Sequence, residues 1–85
     1  MGRDEVLTTA KDVAAERAFQ YGEEMLLIAS KISSTVLNKN ITPHDVAIIL
    51  AALKLARIKD SKKKLDNYVD AINYLGFAAE YIEAE

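Results

Sequence analysis

The sequence has no cysteine, only one proline, and no strong excess of either charge sign. The missing cysteines exclude disulfides, thiol nucleophiles and thiolate metal sites together, so the fold must hold by packing alone. The scarcity of proline, beside an apolar fraction of 51%, argues against disorder and for a packed helical domain. Eleven basic against thirteen acidic residues leave a net charge of −2, without the positive bias of a dedicated nucleic-acid binder. Long apolar runs are also lacking. The longest, Val46 to Leu53, cannot span a bilayer, and Met1-Gly2-Arg3-Asp4-Glu5 does not open a secretory leader. A cytoplasmic chain without a membrane partner is expected.

Several mechanisms lack their motifs. The chain carries no Walker phosphate loop, GxGxxG, HExxH or serine elbow. A helix-turn-helix would need a basic recognition helix, whereas the last helical segment is acidic, so no DNA readout is expected. Lys62 to Lys64 sit among acids and suit a solvated loop.

What is present is helical periodicity. At 85 residues the chain can form one modest core, burying about 60 to 65% of the unfolded chain's surface. The expected architecture is an all-α, compact three- or four-helix bundle completed by homo-oligomerisation. Residues 1–8 are expected as a flexible N-terminal segment and residues 9–85 as a single helical domain.

The first helix is expected to start at Thr9, with Asp12 completing a box-like cap. Gly22 interrupts the pattern and either bends, breaks or continues that helix. GEEMLLIASKISSTVL then places Met25, Ile28, Ile32 and Val36 on one apolar side. Asn38 to Asn40 supply its boundary. In ITPHDVAIILAALKLARIK, Thr42 is a natural N-cap, Pro43 fits the first helical position, Asp45 the third, and Ile41 staples against Val46. The body of this segment is apolar on more than one face, which marks the central helix. KDSKKK reads as an exposed connection, and KLDNYVDAINYLGFAAEYIEA as the last helix.

Chemistry-bearing residues fall into four groups. Glu16, Glu23 and Glu24 precede Asp66 and Asp70; carboxylates four apart share a helical face at about 6 Å and, with a third from a facing helix, suit magnesium beside phosphate. The alternative is a solvated or salt-bridged acidic surface. Lys54 and Arg57 share a face and either pair with Asp66 and Asp70 or contact phosphate, two uses that are not exclusive. His44, the sole histidine, has no partner for a metal site and is expected to face solvent or bond locally. Tyr68, Tyr74, Phe77 and Tyr81 make a late aromatic series for core packing, a subunit interface or base stacking, with Tyr74 and Phe77 the candidates for the last two uses.

Taken together, ERAFQYGE at Glu16 to Glu23, ITPHDVA at Ile41 to Ala47, LKLARI at Leu53 to Ile58 and DNYVDAINYLGFAAE at Asp66 to Glu80 resemble an uncharacterised family of small phage and prophage proteins. The resemblance covers nearly the whole chain after Thr9. Such proteins look distantly like the all-helical, MazG-like nucleoside triphosphate pyrophosphatases. That likeness implies an oligomer with Mg2+ held by Glu16, Glu23, Asp66 and Asp70, and with Lys54 and Arg57 on the phosphates of a nucleotide. The sequence departs from the enzymes' pattern where Asp66 and Asp70 stand four apart instead of three. The competing expectations are a noncatalytic phage accessory protein that binds a host protein or sequesters a nucleotide signal, and an oligomeric helical scaffold.

Overall fold

A computed structural model describes residues 1–17 and 23–84, and the side chains of Arg17, Glu23, Glu83 and Ala84 are outside the description. The question of a break at Gly22 therefore lies outside the described residues. The chain forms four helices: α1 (Arg3–Arg17), α2 (Glu23–Leu37), α3 (Pro43–Asp60) and α4 (Leu65–Ala84). The all-α class holds, and the helix count is four. No described helix is long and apolar enough to cross a membrane.

The first helix starts at Arg3, six residues before the expected Thr9, so residues 3–8 are helix and Thr9 lies inside it. Two effects explain the correction. Asp4 and Glu5 place carboxylates at the amide end, where the helix dipole favours them. The added turns also bring Val6 to a half-buried position above Thr9, Ala10 and Val13, extending the stripe that α1 lays on α4.

The face of α2 is a second correction. Met25, Ile28, Ile32 and Val36, expected inside, are exposed, whereas Leu26 and Ser30 are buried and Ala29, Ser33 and Ser34 are half-buried. Two of these serines explain the rotation. The Ser30 hydroxyl donates to the Leu27 carbonyl at 2.8 Å, so it enters the core with its polar group satisfied. The Ser34 hydroxyl donates to the Ile41 carbonyl at 3.0 Å and accepts the Ile41 N–H at 2.9 Å, which fixes that side of α2 toward the following turn. The helix ends at Asn38, whose φ of 53° is left-handed, and Lys39 N–H returns to the Ser34 carbonyl at 3.2 Å in a Schellman closure.

The start of α3 is as expected. Asp45 N–H donates to the Thr42 hydroxyl at 3.1 Å, Thr42 N–H donates to Asp45 Oδ2 at 3.0 Å, and Pro43 opens the helix. The Thr42 backbone N–H is the main cause holding the Asp45 carboxyl below the usual carboxylate range, with the Thr42 hydroxyl and the charge of His44 acting in the same sense against desolvation. A depressed folded pKa means that this contribution is complete above the unfolded value and is lost as pH falls through the folded one. The loss therefore lies below about pH 4. Thr42→Ala should cost about 1 kcal/mol at neutral pH. Denaturant midpoints followed from pH 6 to pH 2 should show a shallower acid loss in the variant than in the parent.

A short connection through Ser61 to Lys64 reverses the chain, held by the Tyr68 hydroxyl donating to the Lys62 carbonyl at 2.8 Å. The expected exposed KDSKKK connection is thus shorter by two residues, because α3 runs on through Asp60. The resulting α3–α4 antiparallel pair is the centre of the fold, with α1 added on α4 and α2 on α3. Ala47, Ala51, Ala71 and Ala78 are buried, which lets the helices approach closely. Leu26, Val46, Ala47 and Ala78 form one cluster, and Ile41, Leu50, Phe77 and Tyr81 pack on it.

The core is small for the chain. No large side chain is completely buried, and fourteen large apolar residues are exposed among those described. The accessible surface is 6307 Å², against about 5,000 Å² expected for a compact 9.4 kDa monomer. The radius of gyration, 13.5 Å, likewise exceeds the roughly 12 Å expected at this length.

Candidate functional site

The α3–α4 pair positions the basic residues and the late acids. Lys54 Nζ lies 3.0 Å from Asp70 Oδ2, with side chains 17% and 24% exposed. Shielding at that level makes this pair more than a screened surface contact. Of the two bases expected on this face, only Lys54 forms an ion pair among the described residues; Arg57 is exposed, as is Asp66 in the first turn of α4. Lys54→Met should therefore destabilise the fold by about 1–3 kcal/mol, since it strands a shielded carboxylate. Arg57→Met should stay within about 0.5 kcal/mol. Urea unfolding of the two variants at neutral pH measures the difference.

Glu16 is exposed on α1, and the Glu23 side chain lies outside the described residues. Among the described residues no group of three His, Asp or Glu side chains stands together to hold a metal ion. Glu16, Asp66 and the lysine-bound Asp70 therefore do not make a described magnesium cradle, and no chemical step is derived from them.

The aromatic residues divide between structure and surface. Tyr68 fastens the α3–α4 connection and Tyr81 packs on the central cluster. Phe77 also packs on that cluster, yet it lines a groove of about 360 Å³ between α1 and α4 with Ala14, Asn73, Gly76 and Glu80. A methyl group added at Gly76 would meet nothing within 4 Å, so the groove floor is open. Tyr74 is half-buried.

His44 bonds across the fold instead of facing solvent or bonding locally. Its Nδ1–H donates to the Ala78 carbonyl at 2.9 Å and ties the first turn of α3 to α4. Nothing in the sequence pairs these positions, which are 34 residues apart. The largest feature missed by sequence reasoning is apolar. The side of α3 turned away from α4 exposes Ile48, Ile49, Leu53 and Leu55, beside the uncovered stripe of α2. Its signal was present in the all-round hydrophobicity of α3, which one small domain cannot bury on every side.

The class defined by these features is a four-helix, all-α domain with a thin core and extensive uncovered apolar helix faces. The chain belongs to the family described as Domain of unknown function (DUF6378), whose model matches residues 5–82. No curated protein and no solved structure matches it.

Proposed function

We propose that this chain is a self-assembling helical module, a homo-oligomer whose subunits cover the outer faces of α2 and α3, working as a phage-type accessory scaffold in the cytoplasm of a bacterial host. The observation that carries this reading is the surface itself: about 1,300 Å² more than a compact monomer of this mass should expose. A standard interface removes roughly 800 Å² from each partner. The uncovered residues are aliphatic and run along whole helices, such as Met25, Ile28, Ile32 and Val36 on α2. Such continuity supports an interaction surface over scattered exposure. The phage setting rests on the motif resemblance alone.

Because assembly stabilises folded subunits by mass action, the thermal midpoint should rise as protein concentration is raised from about 1 to 100 µM. A midpoint independent of concentration, with a monomer at every concentration, would overturn self-assembly and leave a host protein as the partner to seek.

One observation favours a second reading, nucleotide binding. The α1–α4 groove offers the Phe77 ring between Asn73 and Glu80 and falls within the size range of small-molecule sites. In this reading Mg2+ and the exposed Arg57 accompany a nucleoside triphosphate. Equilibrium dialysis against a panel of such nucleotides with magnesium, followed by a pyrophosphate-release assay, separates binding from turnover. Absence of retention across the panel would remove both.

A further inference from the structure

The self-assembly reading leaves open which helix pairs with which, and α3 supplies an answer. At 100° per residue, Ile48, Ile49, Ala52, Leu55 and Ala56 lie within about 60° of the direction of Ala52. Every one of them is exposed. The same stripe is bounded by Asp45 one way and Lys59 the other, each seven residues from Ala52. The opposite side of α3 is already occupied, with Ala47 and Ala51 buried and Lys54 joined to Asp70.

The pattern is therefore acid, large aliphatic, alanine, aliphatic, base, read along one uncovered face. We propose that two copies of the chain pair their α3 helices antiparallel about a two-fold axis at Ala52. This inference rests on the self-assembly reading above. In that arrangement Asp45 of each copy meets Lys59 of the other, Ile49 meets Ala56, and Ile48 meets Leu55. A parallel pair would instead bring Asp45 against Asp45 and Lys59 against Lys59, with helix dipoles aligned in the same direction.

Several observations fit the second copy. Lys59 has no ion pair among the described residues. Asp45 uses Oδ2 in its cap, which leaves Oδ1 to accept a lysine. Ala52 and Ala56 are small enough for close helix approach, and the Ile49–Ala56 pairing sets a large side chain against a small one. The excess surface per chain also exceeds what one standard interface needs.

The natural absence of cysteine makes the geometry directly testable, because any introduced thiol is the only one in its chain. Three exposed positions are used: Ile49→Cys, Ala52→Cys and Ala56→Cys, each as the full chain, with helicity checked by circular dichroism. Under mild oxidation Ala52→Cys should convert chiefly to a disulfide-linked dimer. An equal mixture of Ile49→Cys and Ala56→Cys should give mostly the mixed disulfide. In a parallel pair those two positions are about 10 Å apart along the axis, too far to bridge.

Three outcomes would overturn the proposal. Failure of Ala52→Cys to cross-link while the parent sediments as an oligomer places the interface elsewhere and leaves self-assembly standing. Ile49→Cys homodimers outnumbering the mixed product indicate a parallel pair. A parent that is monomeric throughout removes the self-assembly reading and this inference together. A further variant, Ala52→Asp, sets two carboxylates across the axis and should weaken association by at least about a hundredfold; undiminished association of the folded variant would also contradict the pairing.

Discussion

Leu26→Ala should destabilise the fold by about 2–4 kcal/mol, the largest loss expected from a single truncation in α2. Leu26 is 3% exposed and is the one large side chain that this helix buries fully in the central cluster. Its neighbours on the same face, Ala29, Ser30, Ser33 and Ser34, are small. Removing Leu26 therefore takes away most of the apolar area that fastens α2 to α3, and the serine hydrogen bonds at Leu27 and Ile41 then hold an emptied seam. Met25→Ala is the matched comparison, because Met25 is 57% exposed. In the dissociated protomer it should cost less than about 0.5 kcal/mol. Urea unfolding at low protein concentration checks both, and equal losses would show that the face of α2 is assigned wrongly.

Ile49→Lys has the second large effect, and on a different quantity. Ile49 is 61% exposed in the single chain, so a lysine there keeps its ammonium in water and should change protomer stability by no more than about 0.5 kcal/mol. Across the proposed interface the same ammonium would be desolvated against aliphatic side chains. Association should weaken at least about a hundredfold. A stability variant and an assembly variant are thus separated: Leu26→Ala acts on the fold at every concentration, while Ile49→Lys acts only where subunits meet.

Local chemistry was the legible part of this chain. The Thr42, Pro43 and Asp45 cap needs only neighbours in sequence, and it forms as the sequence indicates. The same holds for the boundary at Asn38 and the four-helix division among the described residues. The start of α1 was misplaced because Thr9 with Asp12 offers cap chemistry, yet Asp4 and Glu5 offer the dipole a better terminus and Val6 adds packing. The face of α2 was misread for a tertiary reason. Its more hydrophobic stripe points outward, and the stripe that packs contains Ser30 and Ser34, whose hydroxyls are satisfied at Leu27 and Ile41. Hydrophobicity alone ranks those two faces in the wrong order.

The candidate site was legible to a similar depth. Helical spacing joined Lys54 and Arg57 and suggested Asp70 as a partner, and the Lys54–Asp70 pair exists at 3.0 Å. Spacing could not tell that Arg57 stays exposed, since both residues lie on one broad face and only the approach of α4 distinguishes them. The His44 contact with Ala78 depends on the antiparallel register of α3 and α4, which no local pattern encodes. The groove beside Phe77 likewise follows from where α1 settles on α4.

Sedimentation equilibrium of the parent chain beside Ile49→Lys, at neutral pH and over about 1 to 100 µM, tests the central claim most directly. The account gives a parent whose mass approaches at least twice the 9.4 kDa of one chain and a folded variant that remains at one. A parent that stays at 9.4 kDa through the whole range, with its apolar helix faces open to water, would contradict it.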